Sequence, residues 1–312
     1  MGRYIVKRIV LMLLVMFLVS GGTFFLIHLA PGDPAFLLAQ ARFGIEVTPE
    51  QIQWVGREMG FDAPVHMQYF IWINHLLDGD FGLSLRTDRP VLAEILYRLP
   101  ATLELVTAAL AISLFIGIPL GVISAVKPYS TLDNFSMLGA LLAISMPGYW
   151  LALLLILVFA VHLGWLPVCG QGTVRHLVLP ALTLGISGLA FKMRLMRTSM
   201  LEVLKQDYIL TARAKGLKEN IIAYKHALKN ALLPVVALTG MQFGRMIEIA
   251  VIIEVIFAWE GIGKLLVDSI FARDFTMIQG CVLCITIFVV LGNLIADILY
   301  VFLNPQIRYE KG

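Results

Sequence analysis

The sequence has 312 residues, of which 59% are hydrophobic and 14% charged, and its mean hydropathy is +0.85. A water-soluble domain carries about a quarter of its residues as charged side chains, so this composition excludes an ordinary soluble fold and makes lipid the solvent. The net charge of +3, with no dense basic stretch interleaved with aromatics, gives no reason to expect nucleic acid as a partner.

A helix needs about 20 apolar residues to cross a hydrocarbon core of about 30 Å. Such runs lie at 9–29, 101–126, 135–162, 177–199, 231–258 and 277–303, which predicts six transmembrane helices. The first run follows Arg3, Lys7 and Arg8 and leads into Pro31-Gly32-Asp33-Pro34. It is longer than a secretory apolar region of about 7–15 residues, so it reads as a retained span. The segment 30–100 is too long for a bare connection. Thr48-Pro49-Glu50-Gln51 has the form of a helix N-terminus and Asp78-Gly79-Asp80-Phe81-Gly82 that of a turn, so a small helical cap is expected there. Pro119, Pro147, Pro180 and Pro234 fall within spans, and Pro147-Gly148 is the expected break.

Orientation follows the distribution of Lys and Arg. The stretch 192–230 holds nine basic residues against three acids, whereas 30–100 holds five against nine. The N-terminus and 192–230 are therefore expected in the cytoplasm, with the cap outside. Six spans return Arg308 and Lys311 to the cytoplasm, so both termini are cytoplasmic in this reading. Trp165 and Trp259 fall at the outer ends of spans three and five, where interfacial anchors belong.

The most informative stretch runs from Asp207 to Pro234. Ala212, Ala214 and Gly216 form a helix end with little bulk, and a glycine there can turn the chain through the left-handed region. Leu217 is expected as an exposed apolar knob. The pattern Ile221, Tyr224, Ala227 and Leu228 resumes at helical spacing. A short helix, a glycine turn and a second helix can dock into a partner's groove or lie as a basic surface loop on anionic headgroups. The residues alone leave both open.

This stretch resembles the cytoplasmic loop of permease subunits of ABC importers, whose consensus is Glu-Ala-Ala, three residues, Gly, nine residues, Ile-x-Leu-Pro. Aligned on Gly216, Leu210-Thr211-Ala212 stands where Glu-Ala-Ala is usual, and His226-Ala227-Leu228-Lys229 replaces the far end, with Leu233-Pro234 five residues later. The version Thr-Ala-Arg-Ala-Lys-Gly-Leu followed by His-Ala-Leu-Lys-Asn-Ala-Leu-Leu-Pro is similar to the dipeptide, oligopeptide and nickel branch. Pro31–Pro34, Met59–Pro64, Gln68-Tyr69, Gly79–Ser84, Leu99–Leu103 and Phe257–Gly263 resemble the same branch, although relatives usually have Pro where Glu260 stands.

The resemblance implies an all-α permease domain over 101–312, preceded by the first span (1–30) and the cap segment (31–100), with a coupling loop at about 200–230. It implies a second homologous permease, two cytoplasmic ATP-binding subunits and an extracytoplasmic substrate-binding protein as partners, in a bacterial inner membrane. Thr211, Ala212, Arg213, Ala214, Lys215, Gly216, Leu217 and Lys218 are then the residues expected to meet the ATPase. Within the spans, Arg245 and Glu248 are three apart, share a helix face and can pair with each other or line the path. Relatives usually have small residues around Glu248. Glu254 matches a family acid, is a further candidate for the path, and is placed to hold the Trp259 loop; Asp297 is expected to be buried.

No catalytic group, cofactor or metal site is expected in the chain. The six histidines are scattered, and Cys281-x-x-Cys284 sits in an apolar run with no second pair. Gly261-Ile262-Gly263-Lys264-Leu265 departs from a phosphate-binding loop, because residue 258 is Ala and Lys264 is followed by Leu. The expected function is import of di- or oligopeptides driven by partner ATPases. The alternatives are a permease for nickel or a metal chelate and, from a different class, an ion-coupled secondary transporter, which would need intramembrane ion ligands and often internal repeats.

Overall fold

A backbone in lipid must satisfy its hydrogen bonds within the segment, and a helix does so. The computed structural model describes residues 2–29, 34–44, 46–58 and 63–303. Pro31-Gly32-Asp33, Met59–Asp62, Arg308 and Lys311 lie outside the described residues. Among the described residues the chain is all-helical apart from loops and one isolated bridge, Leu83 to Pro90. The helices are α1 (Gly2–Leu29), α2 (Pro34–Phe43), α3 (Pro49–Glu58), α4 (Val65–Leu77), α5 (Val91–Val126), α6 (Thr131–Ser145) and α7 (Gly148–Leu155). After a π-helical stretch, Ile156–His162, come α8 (Val174–Val203), α9 (Asp207–Ala214) and α10 (Glu219–Ile221). A second π-helical stretch, Ile222–Ala227, leads into α11 (Leu228–Ile256), followed by α12 (Ile262–Ala272) and α13 (Phe275–Leu303).

Among the described residues, five helical segments are long and apolar enough to cross a membrane: Val6–Phe25, Val91–Val126, Val174–Val203, Glu219–Ile256 and Phe275–Ile298. Thr131–Ser145 and Gly148–His162, bent by 112° at their junction, make a sixth when the pair is taken as one broken span. The bend falls at Met146-Pro147. Met146 is extended (φ −87°, ψ 130°), as a residue before proline prefers, and Pro147 has no N–H to continue the ladder. Helix continues through Pro180 and Pro234.

The chain forms two compact units: Val6–Pro100 with Gly261–Ile287, and Met1–Ile5 with Ala101–Glu260 and Phe288–Gly312. In the first, Tyr69 of α4 is buried against Phe24 and Phe25 of α1, and its hydroxyl meets Ser20 Oγ at 2.9 Å. The helix start expected at Thr48 is a capping box: Gln51 N donates to Thr48 Oγ1 (3.3 Å) and Thr48 N to Gln51 Oε1 (2.9 Å). In the turn at 78–82, Gly79 and Gly82 have φ +82° and +78°, and Gly82 N donates to Asp80 Oδ1. Asp274 caps α13 through Met277 N and accepts from Ser84 Oγ at 2.5 Å and Leu85 N at 3.1 Å. Val91, Ile95, Ile262, Met277 and Cys281 form an apolar core, so Cys281 is a packing residue here.

In the second unit, glycines set the spacing between helices. A Cβ on Gly117 of α5 would lie 2.8 Å from Leu189 O of α8, and one on Gly121 would lie 2.5 Å from Met193 O. Ala109 likewise meets Gly185, so the two helices run parallel in close contact. The chain between two parallel neighbours has to travel back along them, and the bent pair α6–α7 provides that return. The same contact pattern makes α11 antiparallel to α8 (Gly188 against Met246) and to α13 (Gly240 against Ala296).

One expectation fails here. Lys192, Arg194 and Arg197 lie within α8, which runs on to Val203, and not in a loop. The basic excess survives without them. Residues 204–230 still hold Lys205, Arg213, Lys215, Lys218, Lys225 and Lys229 against Asp207 and Glu219.

Candidate coupling loop and transmembrane polar groups

The segment after α8 folds as a helix, a turn and a helix. Gln206 is extended and opens α9, and Thr211 Oγ1 bonds back to Asp207 O at 3.0 Å. At the far end Gly216 N reaches Arg213 O and Leu217 N reaches Ala212 O, with Gly216 at φ +76°. That is the left-handed turn expected from the sequence, and a side chain there would be strained. Arg213 clamps the turn with two bonds to Glu219 (2.8 and 3.2 Å), which hold its guanidinium above its ordinary pKa. The pair is exposed, so solvent screens it and it adds little to stability.

The loop is fastened to the bundle by its inner face. Ile209, Ala212, Ile222, Ala223 and Ala227 are buried together with Met196 and Met200 of α8 and Val122 and Ala125 of α5. Leu217 also packs onto this cluster, so it is half-buried and not the exposed knob expected. The face shown to solvent instead carries Leu210, Thr211, Arg213, Ala214, Lys215, Gly216, Lys218, Ile221 and Tyr224. The buried positions of the second helix are Ile222, Ala223 and Ala227, whereas Ile221 and Tyr224 are exposed. A 3.6-residue period misplaces this face because 222–227 is π-helical, with a wider turn.

Charged groups inside the spans fall into two settings. In the first they are buried and partnered. Arg197 Nε and Nη2 donate to Asp133 Oδ1 and Oδ2 at 2.7 and 2.8 Å, joining α8 to α6, and Tyr129 N donates to the same carboxylate. Glu254 is 0% exposed and accepts from Thr102 Oγ1 at 2.6 Å. Its backbone carbonyl receives Trp259 N at 2.8 Å, and Trp259 Nε1 donates to Ala101 O at 2.8 Å. Trp259 is therefore buried packing and not a lipid-facing anchor, whereas Trp165 is exposed. Lys192 is 1% exposed and donates to Ser113 Oγ (2.9 Å) and to Gln242 Oε1.

In the second setting they are open. Arg245 and Glu248 are both exposed on α11 and, among the described residues, form no ion pair with each other or with any other group. Asp297 is half-buried and, unlike these two, has an interaction partner. Lys264, in the glycine-containing string that opens α12, pairs with Asp268 at 2.8 Å. The Lys192 contact was missed in the sequence, although a signal was present: Gly185 and Gly188 lie seven and four residues before it, on one close-packed face of α8.

Parallel and antiparallel spans packed on glycine, with a helix–turn–helix loop fastened beneath them, define a multi-pass permease core. The family model described as "Binding-protein-dependent transport system inner membrane component" matches residues 117–309, and the model of its N-terminal part matches residues 1–106. The chain belongs to this family: it is a permease subunit of a bacterial ABC importer, set in the inner membrane. Import of this kind depends on a substrate-binding protein and an ATPase as partners.

The chain is 40% identical over 310 residues to the "Glutathione transport system permease protein GsiC" of Escherichia coli (strain K12), covering 99% of this chain and 100% of that protein. The protein of the same name from Shigella flexneri serotype 5b (strain 8401) matches equally. Among solved structures, an inward-facing form of the MetNI methionine ABC transporter superposes with a TM-score of 0.57 at 18% identity, covering 68% of this chain and 96% of that chain. That likeness shows the fold alone.

Proposed function

We propose that the chain imports small peptides, glutathione among them, along a path formed with a second homologous permease. The observation that carries this is the full-length similarity to a glutathione permease, joined to a core whose loop exposes small and basic residues around Gly216. In this reading residues 101–312 form the conducting core and 31–100 an extracytoplasmic cap. Both termini and the loop face the cytoplasm, in line with the basic excess at 204–230. The exposed face from Thr211 to Lys218 receives the ATPase subunits. Closure of the ATPases pushes the loop, and the cluster around Ile209 and Met200 passes the motion to α5 and α8. Arg245 and Glu248 line the path, because open charges at mid-span need water or protein beside them. Glu254, which has no exposure, braces the Trp259 turn beside them.

The test is uptake into proteoliposomes that hold this chain together with its partner permease, ATPase and binding-protein subunits. Glutathione or alanyl-alanine accumulates only with ATP on the ATPase side. Accumulation of nickel without peptide would replace peptide by metal as cargo, and uptake by the chain alone without ATP would make it a secondary transporter.

A further inference from the structure

Lys192 is a fully buried amine in a membrane bundle, where an aliphatic side chain of similar length would pack at lower cost. Its bonds fix more than its own position. A lysine ammonium only donates, so Gln242 must turn its carbonyl oxygen, Oε1, toward it. Ser113 spends its own proton on Leu110 O (2.8 Å) and accepts from Lys192. The Gln242 amide orientation is thereby set by hydrogen-bond logic, leaving the Nε2 hydrogens without an acceptor among the described residues. Gln242 is half-buried on α11, three residues from exposed Arg245 and hence beside it on the helix surface.

We propose that the Gln242 amide N–H groups and the Arg245 guanidinium together seat a carboxylate of the peptide cargo during passage, with Lys192 as the positioning residue behind them. The proposal rests on the reading of α11 as path-lining. Its chemistry is that of anion recognition: two donors on neighbouring positions match the two oxygens of a carboxylate. The third N–H of Lys192 also has no acceptor among the described residues, so this cluster is rich in donors and short of acceptors. Glu248, one turn beyond Arg245, supplies the opposite charge for the ammonium end of a peptide.

The decisive substitution is Gln242→Glu. It keeps a group that accepts from Lys192, so the tie between α8 and α11 is retained, but it replaces the donor by an acceptor. In the reconstituted complex, uptake of glutathione and alanyl-alanine is expected to fall roughly tenfold or more, with subunit assembly unchanged. Lys192→Met is expected to lower uptake by itself but to add nothing to Gln242→Glu, because it acts through the same amide. A lysine that merely held the helices would add its own loss.

A second measurement does not depend on how the glutamate variant behaves. In a background without native cysteines, Gln242→Cys is expected to react with a water-soluble methanethiosulfonate, and glutathione is expected to slow that reaction. Wild-type uptake by Gln242→Glu in an assembled complex, or a Gln242→Cys that reacts in no state, overturns the seat. Absence of peptide uptake by the wild-type complex overturns the functional reading itself, which is a separate result.

Discussion

Glu248 and Glu254 stand six residues apart on one helix and are treated in opposite ways. Glu254 is fully buried, bonded to Thr102, and its backbone holds the Trp259 turn. Glu248 is exposed and, with its neighbour Arg245, makes no ion pair among the described residues. The difference separates charges that hold the permease together from charges that, in the proposed reading, are left for something that passes. A charge in lipid is too costly to be idle, so the partnered ones are explained by their partners and the open ones fit the aqueous path we propose.

Substitutions can break that comparison, and the largest effect is expected where a buried pair loses one member. Asp133→Ala leaves the Arg197 guanidinium half-enclosed without its carboxylate and should cost roughly 3–5 kcal/mol, read as loss of folded, monodisperse protein in detergent. Glu254→Ala should cost about 1–3 kcal/mol, since Thr102 loses its acceptor and a cavity opens beside the Trp259 turn. A lowered thermal midpoint with a more exposed tryptophan emission would show it. Glu248→Gln should leave the thermal midpoint unchanged, to within about 0.5 kcal/mol of stability, while altering relative uptake of peptides with free and blocked amino ends. If Glu248→Gln destabilises as Glu254→Ala does, the two settings are one. The smallest effect is expected at Arg213→Ala, with no resolvable shift of the thermal midpoint, because the Arg213–Glu219 pair is exposed and solvent screens it.

Much of this was legible in the residues. The apolar runs gave the spans, Pro147-Gly148 gave the break, and Gly216 gave the left-handed turn, because each rests on local backbone chemistry. What was not legible depended on tertiary context. Arg197 reads as a loop charge until Asp133, 64 positions away, is brought to it. Trp259 reads as a lipid anchor until its indole is seen bonding Ala101 O. Leu217, expected as an exposed knob, packs onto the buried cluster, and the π-helical stretch at 222–227 shifts the buried face of the second helix away from Tyr224. Helical periodicity cannot register that shift from sequence.

In the proposed reading the loop around Gly216 receives the ATPase subunits. Ala214 is exposed at the end of α9 and is not a member of the buried cluster, so Ala214→Trp adds bulk on the outward face. Co-purification of the ATPase subunits with this variant is the direct measurement. The account predicts a folded, membrane-inserted permease that no longer retains the ATPases and no longer supports ATP-driven uptake. An Ala214→Trp permease that keeps its ATPases and transports at the wild-type rate would contradict it.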